Sequence, residues 1–223
     1  MREIALDTET TGFDPASGDR IVEIGCVELD NYMATGRVFH VYINPERDMP
    51  EGAFKVHGLS AEFLKKYNVM AREIDAFLDF IGDSNLVIHN AEFDMKFINA
   101  ELIRLKRKPL PMSRSIDTVT MARRMFPGAQ ANLDALCRRF NIDNSARTKH
   151  GALLDAELLA EVYLELRGGR QTGFSLAPEK ETRNKGAIAK SVARPARAHS
   201  PSEAELEAHA KFLEKISDPV WQS

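Results

Sequence analysis

Apolar residues in the first ninety positions fall in short runs, at about 2–6, 21–29, 37–43 and 86–89, and these runs read as strands. Ile116 marks a fifth. Further along, the spacing changes to steps of three and four. Phe97, Ile98, Leu102 and Leu105 set a helical stripe over 92–107, and comparable patterns predict helices over 71–82, 118–125, 132–139 and 152–166. Asn132 is placed to cap the helix that follows it. Three strands precede any long helix, and this order predicts an α/β fold, a mixed sheet with helices packed on its faces.

Against that pattern, several acids stand where a structural sequence would place an apolar residue. The run Ile4, Ala5, Leu6, Asp7, Thr8, Glu9 is a buried strand that continues into acid. Alternation puts Asp7 and Glu9 on one face, with alpha carbons roughly 6.5 Å apart. Asp94 shares the inward stripe of the helix that carries Phe97 and Ile98. Asp155 shares that of Leu158, Leu159 and Val162, three, four and seven residues further on. Burying an unpaired carboxylate costs several kcal/mol, comparable to the whole stability of a domain. No Lys or Arg lies on these stripes, so no cation is expected beside the acids, and neutralisation by arginine or lysine would count against the reading. Oxygen ligands without thiolate suit Mg²⁺ or Mn²⁺ rather than Zn²⁺. A pair of such ions about 4 Å apart can grip a phosphate, one activating water and the other stabilising the departing oxygen. His150, five residues before Asp155, is then the proton acceptor. Taken singly, Asp94 or Asp155 reads as a helix-start dipole partner and His150 as a loop histidine. The five together predict a metal-dependent nuclease.

The segments DTETTG from Asp7, HNAEFD ending at Asp94, and HGALLD from His150 to Asp155 resemble, in that order, the three motifs of the DEDD exonuclease superfamily. In that family a tyrosine four residues before the last aspartate marks one branch and a histidine five before it marks the other. Here Gly151 holds the first position and His150 the second, so the chain is identified as a member of the histidine (DEDDh) branch. Over residues 1 to about 166 it is similar to the epsilon family of proofreading exonucleases that serve bacterial DNA polymerase III. The resemblance implies a ribonuclease H-like fold, two Mg²⁺ or Mn²⁺ ions on Asp7, Glu9, Asp94 and Asp155, and release of 5′-mononucleotides from a DNA 3′ end. It also implies that Asp7, Glu9, Thr10, His57 and Asp155 meet the terminal nucleotide. On residues alone, Thr10, Thr11 and Gly12 form either a loop whose amides approach that nucleotide or an ordinary turn. His57 is equally a structural, hydrogen-bonded histidine. Asn90 is expected to cap the helix of Asp94.

Composition adds constraints of another kind. The chain of 223 residues accommodates one sizeable domain and an appendage. Acids at positions 3 and 7 interrupt any signal-peptide core, and no apolar run is long enough to span a bilayer, so a cytoplasmic protein is expected. Cys26 and Cys137 read as buried thiols rather than a disulfide. Residues 1–166 carry 20 Lys and Arg against 26 Asp and Glu. A nuclease that gripped long DNA unaided would be expected to carry a basic track, so this domain is expected to rely on a partner. Residues 167–199 are basic and punctuated by glycine and proline, the mark of a flexible linker.

Beyond the linker, Ser200, Pro201, Ser202 and Glu203 read as a capping box that starts a helix, with Leu206, Ala210, Phe212, Leu213, Ile216 and Ser217 on or beside its apolar face and Trp221 after Pro219. So short a helix is marginal alone. It is expected to fold on the alpha subunit of the polymerase, as the resemblance implies, or to dock back on its own domain. Gln171, Phe174 and Leu176 are similar to a beta sliding-clamp peptide, departing from its usual aliphatic-then-aromatic order. The resemblance leaves room for a small theta-like subunit on the catalytic domain. The expected function is a 3′-to-5′ exodeoxyribonuclease that proofreads replication. The other readings are a free-standing relative acting on RNA or oligonucleotide ends, and a scaffold that braces polymerase and clamp.

Overall fold

The computed structural model describes residues 1–147, 149–169 and 200–215. Among these, β1 (Arg2–Thr10) forms the middle of a five-stranded sheet with β2 (Ile21–Asp30), β3 (Met33–Tyr42), β4 (Asn85–Ile88) and β5 (Ser115–Asp117), in the order β3-β2-β1-β4-β5. β2 runs antiparallel to both β1 and β3, whereas β4 pairs in parallel with β1 and β5 in parallel with β4.

The period of two along β1 sorts its side chains between two cores. Ile4 and Leu6 face α3 (Met70–Ile81) and α4 (Ala91–Arg104), where they pack with Phe77, Ile81, Phe97 and Leu102. Ala5 faces the other way, onto α6 (Leu133–Phe140) and α7 (Ala152–Leu166), among Leu136, Leu159, Val162 and Tyr163. α5 (Thr118–Met125) adds Ala122 to that side. Helices on both faces of a mixed sheet are the ribonuclease H-like arrangement.

Several expected boundaries move. β1 continues four residues past its apolar run because Asp7, Thr8 and Glu9 keep their ladder partners Gly25, Ile24 and Glu23, until a bulge shifts the register at Thr10. β3 starts at Met33, in an exposed edge stretch with little apolar signal. Two short helices were not expected, α1 (Glu51–His57) and α2 (Ala61–Leu64). Each buries only one side chain, His57 and Leu64, so neither has a stripe to read. Asn132 caps α6 as expected, accepting from the Ala135 amide at 2.8 Å.

Both cysteines are buried and free. Among the described residues no helix is long and apolar enough to cross a membrane. α8 (Glu203–Leu213) lies in a separate unit. Its capping box is Ser202 with Glu205, two residues later than the sequence suggests, because the Ser202 side chain meets the amide three residues on. Leu206 and Phe212 are exposed. The clamp-like residues 171–176, most of the linker, and Ile216, Ser217, Pro219 and Trp221 lie outside the described residues.

Candidate active site

A cleft of about 770 Å³ opens at the carboxyl ends of the parallel strands β1 and β4, the usual ligand position in open α/β sheets. Asp7, Glu9, Asp94 and His150 line it, together with Thr10, His57, His89, Phe13 and Phe93. Alternation along β1 turns Asp7 and Glu9 toward α7. That helix can approach because Gly25, the ladder partner of Asp7, has no side chain, and a Cβ there would collide with the Ala152 backbone. The first turn of α7 thereby brings Asp155 beside the strand. α4 reaches the same place from the opposite face. Its first turn presents Asp94, whose Oδ1 accepts from the Thr8 amide at 3.1 Å and the Thr8 hydroxyl at 2.7 Å. Both acids sit at helix N-termini, where the backbone dipole favours negative charge.

Asn90 occupies the N-cap of α4 but makes no side-chain cap bond, contrary to expectation. Its backbone is left-handed, at φ 72°, and its amide donates to Asp117 Oδ1 at 3.1 Å. In that conformation the residue turns the chain into the helix through its backbone, which asparagine tolerates.

Burial and mutual repulsion dominate the electrostatics. Glu9 is 7% exposed and its Oε1 has no hydrogen-bond partner among the described residues. Burial, reinforced by Asp155, Glu23 and Asp94, pushes its carboxyl up to about 8. Burial likewise lifts Asp94 to about 7 against the hydrogen bonds from Thr8. Asp7 is raised well above the carboxylate range by burial and then by Asp94, Glu9 and Asp155. A cluster of this kind holds its charge only if a cation joins it. The all-oxygen carboxylate set and the orphaned Glu9 atom fit a hard divalent ion.

The expectation that no cation stands beside the acids is wrong at one of them. Arg147 grips Asp155 with both arms, Nε on Oδ1 at 2.5 Å and Nη2 on Oδ2 at 2.7 Å. Although burial pulls the other way, this fork holds Asp155 below its ordinary value. Helical stripes could not reveal Arg147, because it comes from the irregular segment between α6 and α7. One guanidinium balances one of four acids, and Asp7, Glu9 and Asp94 stay raised.

His150 sits at the rim, its side chain 48% exposed. Its amide donates to the Val56 carbonyl at 3.3 Å, which ties it to α1. Its Nδ1 lies 3.3 Å from Asp155 Oδ2, and ligand atoms of Glu9, His150 and Asp155 all fall within 4.8 Å of one another. His57 is buried. Its Nδ1 accepts from the Leu59 amide at 3.0 Å, and its Nε2 approaches the Thr10 carbonyl without completing a hydrogen bond. The bond on Nδ1 is that of a structural histidine, and the residue also lines the cleft. Thr10 and Thr11 are largely engaged locally. Thr10 Oγ1 donates to the Gly12 carbonyl at 2.6 Å, and the Thr11 amide donates to the Arg20 carbonyl at 2.9 Å. These are bonds of a strand-ending turn, although the turn lines the cleft.

Sequence reasoning also missed Thr8, which orients Asp94, and Glu23, which faces Glu9 across the ladder while holding His40 at 2.7 Å. Nothing local marks either. Glu23, fourteen residues from Glu9 in the chain, adds to the repulsion there because strand pairing brings it opposite.

The profile of the exonuclease family matches residues 4–163. The DNA polymerase III subunit epsilon of Rickettsia felis is 54% identical over 222 residues, covering 97% of either chain. That of Salmonella typhimurium is 47% identical over 227 residues, covering 96% of this chain and 93% of the relative. Among solved structures, the nuclease domain of 3′hExo, a DEDDh family member bound to rAMP, superposes with a TM-score of 0.65 at 17% identity, over 74% of this chain and 91% of that one. At that identity the likeness speaks for the fold.

Proposed function

This chain belongs to the DEDDh exonuclease family, among the DNA polymerase III epsilon subunits, and on that premise we propose that it removes mispaired nucleotides from DNA 3′ ends during replication. The observation that carries the reading is the convergence of Asp7, Glu9, Asp94 and Asp155 from three distant segments, with a buried Glu9 oxygen left without a partner.

Family membership implies divalent metal ions. We assign them to Asp7, Glu9, Asp94 and Asp155, as two Mg²⁺ or Mn²⁺ ions. Bound there, such ions supply an activated water and neutralise charge on the departing oxygen. The residues do the rest. Asp7 and Glu9, on the rigid middle strand, fix the carboxylates against the scissile phosphate. His150 takes the proton of the attacking water, a contribution of ~10² to 10⁴ in rate. His57 and Thr10 meet the terminal nucleotide, which departs as a 5′-mononucleotide with the water's oxygen on its phosphate, while the phosphorus–oxygen bond to the preceding sugar breaks and leaves the shortened strand a new 3′-hydroxyl.

The acid excess of the catalytic domain supports dependence on a partner for grip on DNA. We assign residues 1–166 to the exonuclease domain, 167–199 to a linker carrying a beta-clamp peptide at 171–176, and 200–223 to a tail that binds the alpha subunit. A theta-like subunit is a further candidate partner, and the replisome in the cytoplasm is the place of action. A linker of about 30 residues spans roughly 30 Å, which keeps the nuclease at millimolar effective concentration near its polymerase.

The direct test is digestion of primers with a mismatched 3′ end, compared with paired DNA and with RNA. Activity should vanish in excess chelator and return with Mg²⁺ or Mn²⁺. Undiminished hydrolysis in chelator would overturn the mechanism, and a preference for RNA would favour the free-standing alternative. Deletion of residues 200–223 should abolish co-purification with polymerase.

A further inference from the structure

We infer that Arg147 is a resident counter-cation latched onto the metal ligand Asp155 and onto His150 beside it, and that it must leave Asp155 before the site can bind its ion. The inference rests on the metal-binding reading above and deepens it.

Among the described residues the guanidinium meets four side-chain atoms on three residues. Besides the two oxygens of Asp155, its Nη1 donates to Asp134 Oδ1 at 2.9 Å and its Nη2 to His150 Nδ1 at 2.9 Å. Arginine can only donate. His150 Nδ1 is therefore an acceptor, and in a neutral ring with Nδ1 accepting, the proton sits on Nε2. The one basic lone pair of the imidazole is thus committed to Arg147. The fork likewise occupies both oxygens of Asp155, in the bidentate geometry that makes arginine–carboxylate pairs strong. A divalent ion drawn to Asp155 meets a fixed positive charge already seated on its ligand.

The same contacts provide a route out. Asp134 is half exposed, while the Arg147 side chain is only 8% exposed. A guanidinium that leaves Asp155 can keep Asp134 as its partner at the protein surface. The Arg147 amide donates to the Asn144 carbonyl at 3.0 Å, within the irregular segment between α6 and α7. Withdrawal frees the Asp155 carboxylate and the His150 ring in one movement.

A structural arginine and a latch predict opposite effects on metal affinity. If Arg147 only braces Asp155, its removal weakens metal binding. If it competes, removal strengthens it. The measurement is Mn²⁺ titration of the full chain without DNA, followed by the paramagnetic resonance of free Mn²⁺. Arg147→Ala should bind Mn²⁺ about tenfold more tightly, equivalent to about 1.4 kcal/mol. Arg147→Lys, which keeps the charge but not the fork, should fall between Arg147→Ala and wild type. In excess chelator Arg147→Ala should melt below wild type, and saturating Mn²⁺ should close or reverse the gap. Should Arg147→Ala not fold in chelator, Arg147→Lys carries the comparison. Wild-type or weaker affinity in the variants overturns the latch while leaving the metal site standing. A wild-type chain that binds no Mn²⁺ overturns both.

Discussion

Replacing Glu9 by Gln should make the protein more stable and inactive at once. In the folded chain the Glu9 carboxyl is raised from an ordinary 4.5 to about 8. Each tenfold change in proton affinity is about 1.4 kcal/mol, so ionising this group without a cation costs the fold on the order of 5 kcal/mol at high pH and about 4 near pH 7.5. Glutamine keeps the shape and removes the charge, but it leaves a buried amide incompletely bonded, a loss of about 1–3 kcal/mol. The balance favours Glu9→Gln by about 1–3 kcal/mol in excess chelator at pH 8, a rise of roughly 2–10 °C in Tm for a domain of this size. In Mg²⁺ at about a thousand times its Kd the order should reverse, because wild type gains about 4.1 kcal/mol and the variant has lost a ligand. Thermal unfolding followed by circular dichroism, with and without chelator, reads both effects. A variant that melts at or below wild type in chelator at pH 8 would refute the picture of Glu9 as a strained anion awaiting a cation.

The pH dependence of the chelated chain has a defined sign. Asp94 and Glu9 have folded-state values above their ordinary ones, so the stability linked to them is complete below 3.8 and 4.5 and drains as pH rises to about 7 and about 8. Tm in chelator should therefore fall between about pH 5 and 8 relative to the metal-saturated chain, and a gap that does not widen over that range would contradict the assignment. Asp155, held low, acts in the opposite sense and loses its contribution only as pH falls through its folded value. His150→Ala should lower kcat by about 10² to 10⁴ with little change in metal affinity; a collapse of Mn²⁺ binding would show that His150 is a ligand instead. Gly25→Ala forces α7 off β2 and should cost about 1–3 kcal/mol as overpacking. It should also depress activity by displacing Asp155, and an unchanged urea midpoint would show that the contact is not tight.

Much of this molecule could be read without coordinates because the information is local. A period of two at Ile4 and Leu6, a period of three and four at Phe97, Ile98 and Leu102, and acids placed on those same stripes depend only on neighbours along the chain. So did the cap at Asn132. The short helix at Glu51–His57 was hidden because it buries little, and the start of β3 because an edge strand needs no apolar run. The convergence of the acids had a different origin. It required Gly25 to admit α7, a bulge at Thr10 to close β1, and Thr8 to orient Asp94. Arg147 marks the limit most clearly. It comes from an irregular segment with no periodicity, and whether its charge meets Asp155 or solvent is decided by how α6 and α7 pack on the sheet. Sequence named the carboxylates since side-chain type and spacing are written in it. Only the tertiary structure could decide their counter-charge and their proton affinity, because both depend on distance and burial among residues far apart in the chain.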